Sequence, residues 1–210
     1  MSDLTDALID LGRLALAFGR IDRTACYHPD GVMKESDSDH TVMLGWVAPA
    51  LAARCFPQLD IGLVAQFALV HDMPEVYAGD TPTLRIDNAG RAAKAEREHQ
   101  AVRRLMAEFG NHLPWVPSTV LLYEEQREPE ARFVRGLDKC LPKIVHLLDG
   151  ATGLREQGMG SAELAEVFER QREDMEGYVG EFADLMALRE DLVGRVVALV
   201  AESECSAEGR

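Results

Sequence analysis

The chain has 210 residues, of which 47% are hydrophobic and 6% aromatic. It can therefore bury a sizeable core, and its scarcity of aromatic residues favours helices over a β-sandwich or barrel. The 22 basic and 36 acidic residues give a formal charge of −14, which argues against DNA or RNA as a partner. A small phosphorylated molecule is still compatible with this charge, because a metal ion and a few local cations act over short distances.

The cysteines and the amino-terminal residues indicate the cellular compartment of the protein. The four cysteines show no CxxC spacing, so we interpret them as reduced thiols. The first residues are polar and acidic instead of basic and then apolar, which is unlike a secretory signal. No apolar run reaches about 18 residues, the length of a membrane span. We therefore expect a soluble, cytoplasmic protein that has no contact with a membrane.

Apolar residues recur at helical spacing along most of the chain. This periodicity predicts a first helix that ends near residue 19, followed by helices over residues 38–54, 60–73, 89–109, 118–126, 130–149, 161–178 and 182–203. Residues 60–73 are apolar nearly all round, which is typical of a central, fully buried helix. Residues 20–37 contain Pro29 and Gly31 and show no strong period, so they predict a long loop.

The same pattern predicts the fold class. No segment shows convincing strand alternation, so we predict an all-α fold. We expect one domain over residues 1–210, with a metal-site core over about residues 20–150 and a helical extension over about residues 160–203. The run from Ser36 to Asp39 offers several N-caps for the helix over 38–54, and His40 would lie in its first turn.

Ionisable residues interrupt the apolar stripes of three predicted helices. They are His40, on the stripe of Met43, Leu44, Val47 and Leu51; His71, after Val64, Phe67 and Ala68; and Asp138, between Val134 and the pair Leu141 and Val145. A buried imidazole or carboxylate is costly unless it is paired or coordinated to a cation. Together with Asp72, these three side chains would hold one divalent metal ion, and such a ligand set suits Mn, Co, Fe, Ni or Zn.

The order of these residues resembles that of the HD-domain phosphohydrolases. One His lies on its own helix, an adjacent His-Asp pair lies on the next, and an Asp follows on another. Glu75 comes three residues after Asp72, and Asp80 five residues after Glu75, in the run HDMPEVYAGDTPT. This run is similar to that of the nucleotidase branch, the 5'-deoxyribonucleotidases of bacteria and their eukaryotic relatives. The motif order matches over roughly residues 8–150.

The resemblance implies an HD-domain helical bundle with additional carboxy-terminal helices, and a homodimer. It implies that His40, His71, Asp72 and Asp138 are ligands of one metal ion, and that a water molecule attacks the phosphorus. Glu75 would orient that water or accept its proton, and Asp80 would be the partner acid or base or a ligand of the sugar. On their own, Glu75 would be an ordinary helix-end carboxylate and Asp80 an ordinary turn residue.

The resemblance also bears on substrate contacts. Arg23 resembles the arginine that contacts the phosphate in this family, and its planar guanidinium suits a phosphate dianion. The bacterial enzymes carry a Trp directly after that arginine, implied to exclude the ribose 2'-hydroxyl, whereas this chain has Thr24. Selectivity for deoxyribose is therefore left open. We interpret three further basic residues, Lys34, Arg85 and Lys94, as solvated charges, and we expect His99 and His112 to be exposed.

The sequence thus favours a metal-dependent phosphohydrolase that converts (deoxy)nucleoside 5'-monophosphates to nucleoside and phosphate. One alternative is a deoxynucleoside triphosphohydrolase, or a hydrolase of another phosphorylated metabolite. A second alternative is a non-catalytic sensor module in which the metal stabilises the helices. The expected partners are a small nucleotide and a second copy of the chain, with no nucleic acid polymer.

Overall fold

A computed structural model describes residues 2–81 and 84–208. Within these ranges the chain forms eleven helices and two strands, so the predicted all-α class is confirmed. In chain order they are α1 Ser2–Phe18, β1 Asp22–Tyr27, β2 Lys34–Ser36, α2 Asp37–Cys55, α3 Ile61–Val70, α4 Glu75–Ala78, α5 Asn88–Phe109, α6 Trp115–Glu124, α7 Pro129–Asp138, α8 Leu141–Leu148, α9 Thr152–Glu156, α10 Ser161–Val179 and α11 Ala183–Glu208. Every described helix is too short or too polar to span a membrane.

The described residues group into two compact units. The first unit contains the chain up to Asp22 together with Ser36–Val134, and the second contains Arg23–Glu35 together with the chain from Arg135 onward. The single domain over residues 1–210 stays a prediction.

The first unit is built around α3 and α5. α3 packs against α2 and α6, while α5 packs against α4 and α6. An apolar core cluster joins these helices to α1, and each fully buried aliphatic or aromatic side chain in it stabilises the fold by about 1.5–3 kcal/mol. The cluster consists of Leu14, Val70, Val102, Leu105, Phe109, Val116 and Val120.

The prediction that the helix over 60–73 is fully buried is wrong. Val64, Phe67, Ala68 and Val70 are buried, but Ile61 is 44% and Leu69 is 53% exposed. Neighbouring helices pack against only part of the surface of α3, because α2 and α6 are its main partners in the first unit. An apolar composition all round a helix therefore overstates how much of that helix is covered.

The predicted loop over residues 20–37 contains a two-stranded sheet, which corrects the expectation that no strand would form. A tight turn joins β1 to β2: the amide of His28 donates to the carbonyl oxygen of Met33 (2.8 Å), and the amide of Gly31 donates to that of His28 (2.8 Å). Gly31 has φ +66°, a left-handed conformation that favours glycine. β1 does alternate in burial, but Arg23 occupies a half-buried position, so the apolar pattern of a strand is missing.

The single helix predicted over residues 130–149 is two helices, α7 and α8, separated at Lys139 and Cys140. Pro142 explains the break. A proline at this position has no amide to donate to the carbonyl of Asp138, four residues earlier, and its ring would clash with that carbonyl. Pro142 is tolerated instead in the first turn of α8. Asp138 consequently becomes the last residue of α7.

In the second unit, α11 packs against α8 and α10. The two carboxy-terminal helices agree with the predicted spans within a few residues. The core of this unit includes two buried basic side chains. Lys143 donates to the carbonyl oxygen of Lys139 (2.7 Å), and Arg189 pairs with Glu190 (2.6 Å) and donates to the carbonyl oxygen of Phe168. Hydrogen bonds to these groups offset part of the cost of burying charge.

His146 should make the second unit sensitive to acid. Its side chain is buried, and within the described chain its Nδ1 has no hydrogen-bond partner. Burial, helped by the positive charge of Lys143, lowers the pKa of His146 to about 4. The unfolded chain therefore binds a proton near its ordinary pKa of 6.5, whereas the folded chain does not. We expect this residue to lower the free energy of unfolding by about 2 kcal/mol between about pH 7.5 and about pH 5.

Urea unfolding of wild type and His146→Leu at both pH values measures this effect. Buried carboxylates contribute equally to both proteins, so they cancel in the comparison. The variant should lose less stability on acidification than wild type does. Equal losses in the two proteins would contradict the assignment.

Candidate metal centre

His71 and Asp72 lie in a tight turn between α3 and α4. Pro74 has no amide to donate to the carbonyl oxygen of Val70, so α3 ends at Val70. The amide of Met73 donates to that carbonyl oxygen instead (3.0 Å). The amide of Glu75 then donates to the carbonyl oxygen of Asp72 (2.8 Å) and starts α4. The turn therefore fixes two predicted ligands and one predicted catalytic carboxylate within five consecutive residues.

His40 reaches the same place from the first turn of α2. Ser36 is the N-cap of that helix: its hydroxyl oxygen accepts from the amide of Asp39 (3.2 Å), and the Asp39 carboxylate accepts from the amide of Ser36 (3.0 Å). This reciprocal capping box fixes where the helix begins. It thereby fixes His40 on the inward face, where the side chain is completely buried.

The first unit brings His40, His71 and Asp72 together, and we call these three residues the His-Asp cluster. Oδ2 of Asp72 lies 3.0 Å from Nε2 of His71 and 4.0 Å from Nε2 of His40. The two imidazole centroids are 5.4 Å apart, and the potential ligand atoms lie within 4.8 Å of one another. Both histidines are buried, and the side chain of Asp72 is 17% exposed.

The hydrogen bonding of His71 supports a metal-binding role. Its Nδ1 lies 2.9 Å from the carbonyl oxygen of Ala68. Because a carbonyl only accepts, Nδ1 carries a proton, and in the neutral imidazole this leaves the lone pair on Nε2, the nitrogen that lies beside Asp72. This is the tautomer in which histidine binds a metal ion, with its second nitrogen held by the backbone. The donor set of two imidazoles and one carboxylate fits a divalent transition-metal ion.

A second group of carboxylates adjoins the His-Asp cluster. Oxygen atoms of Asp37, Asp72 and Glu75 lie within 4.8 Å of one another, and Asp37 is completely buried. The sequence predicts Asp37 only as one of several candidate N-caps, whereas in the structure it is the first residue of α2 and belongs to this group. Its spacing held a signal, because residues three apart on a helix share a face and Asp37 precedes His40 by three.

The carboxyl group of Glu75 is strongly perturbed by its surroundings. Its Oε1 accepts a hydrogen bond from Nζ of Lys94 (3.2 Å), while within the described chain Oε2 has no hydrogen-bond partner. Burial, followed by the negative charge of Asp72, raises the pKa of Glu75 to about 9. A divalent cation beside Asp72 would favour the ionised form and lower this pKa. Glu75 is therefore suited to accept a proton next to a bound cation.

Asp80 lies two residues after the end of α4. Gly79 closes the helix in a left-handed conformation (φ +73°), with its amide donating to the carbonyl oxygen of Glu75 (2.7 Å). Asp80 is half-buried, and its negative charge contributes to raising the pKa of Glu75. The turn-forming and functional interpretations of Asp80 are both compatible with this position.

The other two predicted site residues belong to the second unit. Asp138 is buried at the end of α7, and Nζ of Lys139 donates to its Oδ2 (2.7 Å). Arg23 lies in β1 with its Nε 3.8 Å from Oε2 of the buried Glu35. A carboxylate at a helix carboxy terminus is disfavoured by the helix dipole, and the ammonium group of Lys139 offsets this cost for Asp138.

The remaining predictions about charged residues have mixed outcomes. His99, His112 and Arg85 are exposed as expected. The interpretation of Lys94 as a solvated charge is wrong: its side chain is 23% exposed and pairs with Glu75 and Glu98. Lys94 leads the stripe that continues through Ala101, so its helical spacing already indicated an inward face.

Three kinds of comparison place the chain among known proteins. The sequence model of the HD domain matches residues 20–182. The 5'-deoxynucleotidase HDDC2 of Bos taurus is 30% identical over 139 residues, which are 63% of each chain. The human protein of that name is 29% identical over 140 residues, which are 64% of each chain. The match thus spans less than two thirds of these relatives.

Solved structures share the fold. A predicted metal-dependent phosphohydrolase from Magnetospirillum magnetotacticum has a TM-score of 0.73 at 23% identity, covering 94% of this chain and 97% of that protein. A conserved hypothetical protein from Pyrococcus furiosus has a TM-score of 0.58 at 21% identity, covering 90% and 98%. The family resemblance predicted from the motif order is confirmed. Because the family model spans most of its length, the chain belongs to the HD domain family.

Proposed function

We propose that this protein is a metal-dependent phosphohydrolase that releases phosphate from (deoxy)nucleoside 5'-monophosphates. The observation that carries the proposal is the His-Asp cluster beside the buried carboxylate of Glu75, in a chain of the HD domain family. The relatives named 5'-deoxynucleotidase support the choice of nucleotide.

The proposed metal ligands are the three residues of the His-Asp cluster, with Asp138 as the fourth ligand that the family resemblance implies. The cluster supplies two imidazole nitrogens and one carboxylate, and Asp138 would add a second carboxylate. The order of the motif residues along the chain supports this role. A divalent ion held there supplies Lewis-acid polarisation of the phosphoryl group and lowers the pKa of a bound water. The metal identity is left to experiment, with Mn, Co, Fe, Ni and Zn all compatible.

Protein side chains would position the reactants and move the proton. Glu75 would hold the attacking water through the oxygen that Lys94 does not occupy, and accept its proton. Asp80 would act as the partner acid or base, or bind the sugar. Arg23 would bind the phosphate with its planar guanidinium, and Thr24 would lie beside the sugar.

An assay of purified protein loaded with Mn or Co tests this function. The panel contains deoxyribo- and ribonucleoside 5'-monophosphates, the 3'-monophosphates and the deoxynucleoside triphosphates. Phosphate release from the 5'-monophosphates is expected, and no release from any monophosphate rejects the proposal. Release of pyrophosphate or triphosphate would select the triphosphohydrolase alternative. Metal binding without turnover of any phosphate ester would select the sensor alternative.

The role of Arg23 has its own test. Arg23→Gln should raise KM for the monophosphate by about 10- to 100-fold, because it removes charge-assisted hydrogen bonds to the phosphate. Steady-state kinetics measure KM, and urea unfolding verifies that the variant is folded despite the loss of its Glu35 partner. Arg20→Gln is the matched control, since Arg20 is exposed three residues earlier. An unchanged KM in Arg23→Gln removes this residue from phosphate binding.

We further propose a homodimer in the cytoplasm. The two long carboxy-terminal helices, α10 and α11, exceed what closing a small helical core requires, which supports an additional contact between copies. Sedimentation equilibrium tests the assembly, and a monomer at micromolar concentration would reject it.

A further inference from the structure

Lys94 links two helices through a chain of three charged groups. Its Nζ lies 3.2 Å from Oε1 of Glu75 in α4 and 2.7 Å from Oε1 of Glu98, one turn further along α5. The side chains of Lys94 and Glu98 are 23% and 32% exposed, and that of Glu75 is 7% exposed. All three residues belong to the first unit, in which α4 packs directly against α5.

This arrangement differs from the surface ion pairs elsewhere on α5. Arg103 and Glu96, for example, are 3.5 Å apart at exposures of 67% and 61%. Such exposed pairs contribute little, because solvent screens the charges and both side chains lose conformational freedom. The Lys94 ammonium instead lies on the inward stripe and meets a buried carboxylate, so its contact with Glu75 is stronger and better defined.

The contact with Lys94 also determines which oxygen of Glu75 stays available. Oε1 is engaged by the ammonium, and within the described chain Oε2 has no hydrogen-bond partner. Burial alone would lower the pKa of Lys94, but when Glu75 is ionised its charge and that of Glu98 raise this pKa above its ordinary value. The ammonium therefore stays charged at neutral pH and keeps hold of Oε1.

We propose that Lys94 is a positioning residue that orients the Glu75 carboxylate, with Glu98 bracing the ammonium from its other side. The inference rests on the proposed function, because Glu75 is the group that would act on the attacking water. Lys94 touches neither substrate nor metal in this role. It fixes the rotamer in which Oε2 accepts a hydrogen bond from the water. A loosely held Glu75 would adopt this orientation for only part of the time.

Kinetics of Lys94→Met, loaded with Mn, test the inference. We expect kcat to fall by about 10- to 100-fold, while KM changes by less than about threefold and the metal content stays near one ion per chain. Lys94→Arg should recover much of kcat, and ethylammonium added to Lys94→Ala should restore activity in a saturable manner. Arg103→Met, which breaks an exposed pair on the same helix, is the matched control and should equal wild type.

Crystal structures of wild type and Lys94→Met provide a readout that does not depend on activity. The Glu75 carboxylate is expected to leave its wild-type position in the variant. If Lys94→Met does not fold, the Glu98→Gln variant is used in its place. This variant should lower kcat by about three- to tenfold and leave KM unchanged.

The two proposals fail in distinguishable ways. Inactive wild type rejects the proposed function, whereas a fully active Glu75→Gln rejects only the catalytic role of Glu75. In either case the two crystal structures decide whether Lys94 positions the Glu75 carboxylate. If wild type is active and depends on Glu75, a wild-type kcat in Lys94→Met with Glu75 unmoved overturns the role of Lys94. The role of Lys94 is also overturned if kcat is lost and neither the Lys94→Arg substitution nor ethylammonium added to Lys94→Ala restores it.

Discussion

Replacing His71 with alanine is expected to remove the metal ion and to lower kcat/KM for the nucleotide by about 1,000-fold or more. The loss corresponds to several kcal/mol of transition-state stabilisation that a bound cation supplies. His71 is decisive because its Nδ1 is held by the carbonyl of Ala68, which commits Nε2 to the position beside Asp72. Metal content, measured by elemental analysis, should drop below about a tenth of an ion per chain.

His99→Ala is the control for this experiment, since His99 is exposed on α5. Its metal content and activity should match those of wild type. Chelator should lower the melting temperature of wild type, because the cation binds the folded chain more tightly than the unfolded one, and should leave that of His71→Ala unchanged. A full complement of metal in His71→Ala would refute the assignment of this residue as a ligand.

Glu75→Gln is expected to lower kcat by about 100- to 10,000-fold while the metal content stays near one ion per chain. Glutamine keeps the size of the side chain and its contact with Lys94 but cannot accept the proton of the attacking water. Single-turnover phosphate release measures the chemical step directly. Glu96→Gln, an exposed change on α5, should behave as wild type. Retained activity would exclude Glu75 from catalysis, and loss of metal would make it a ligand instead.

The same variant should be more stable than wild type when both are free of metal. Burial and Asp72 raise the pKa of Glu75 above the 4.5 of an ordinary glutamate, to about 9. The folded chain therefore holds a proton that the unfolded chain has released, and the free energy of unfolding falls as the pH rises from about 4.5 towards about 9. Glutamine does not titrate. The free energy of unfolding, measured with urea at about pH 8, should therefore be higher for Glu75→Gln than for the metal-free wild type.

Much of this architecture could be predicted because the spacing of apolar residues along a long amphipathic helix shows which face of the helix is buried. α1, α5, α10 and α11 begin and end within a few residues of the predicted limits, except that α11 extends further. The His-Asp pair stood out for the same reason, since ionisable groups on an apolar stripe are costly. The motif order then connected residues that the chain itself keeps far apart.

The errors arose where tertiary contacts decide the outcome. β1 and β2 pair across a short turn, and the half-buried Arg23 hides the alternation of β1. The partial exposure of α3 depends on how many helices surround it, which composition does not reveal. Lys94 is one charge among many on a charged helix; its spacing indicates an inward face, but only the structure reveals its contact with Glu75.

The break between α7 and α8 bears on how the site could be re-engineered. Pro142, not the side chain at position 138, ends α7, so the backbone there should keep its course when Asp138 is exchanged. The side chain at position 138 can therefore be exchanged without changing the backbone around it. If Asp138 is the fourth ligand proposed above, histidine, asparagine or glutamate at this position would change the charge and softness of the donor set. Such exchanges would offer a route to altered metal preference within one unaltered framework.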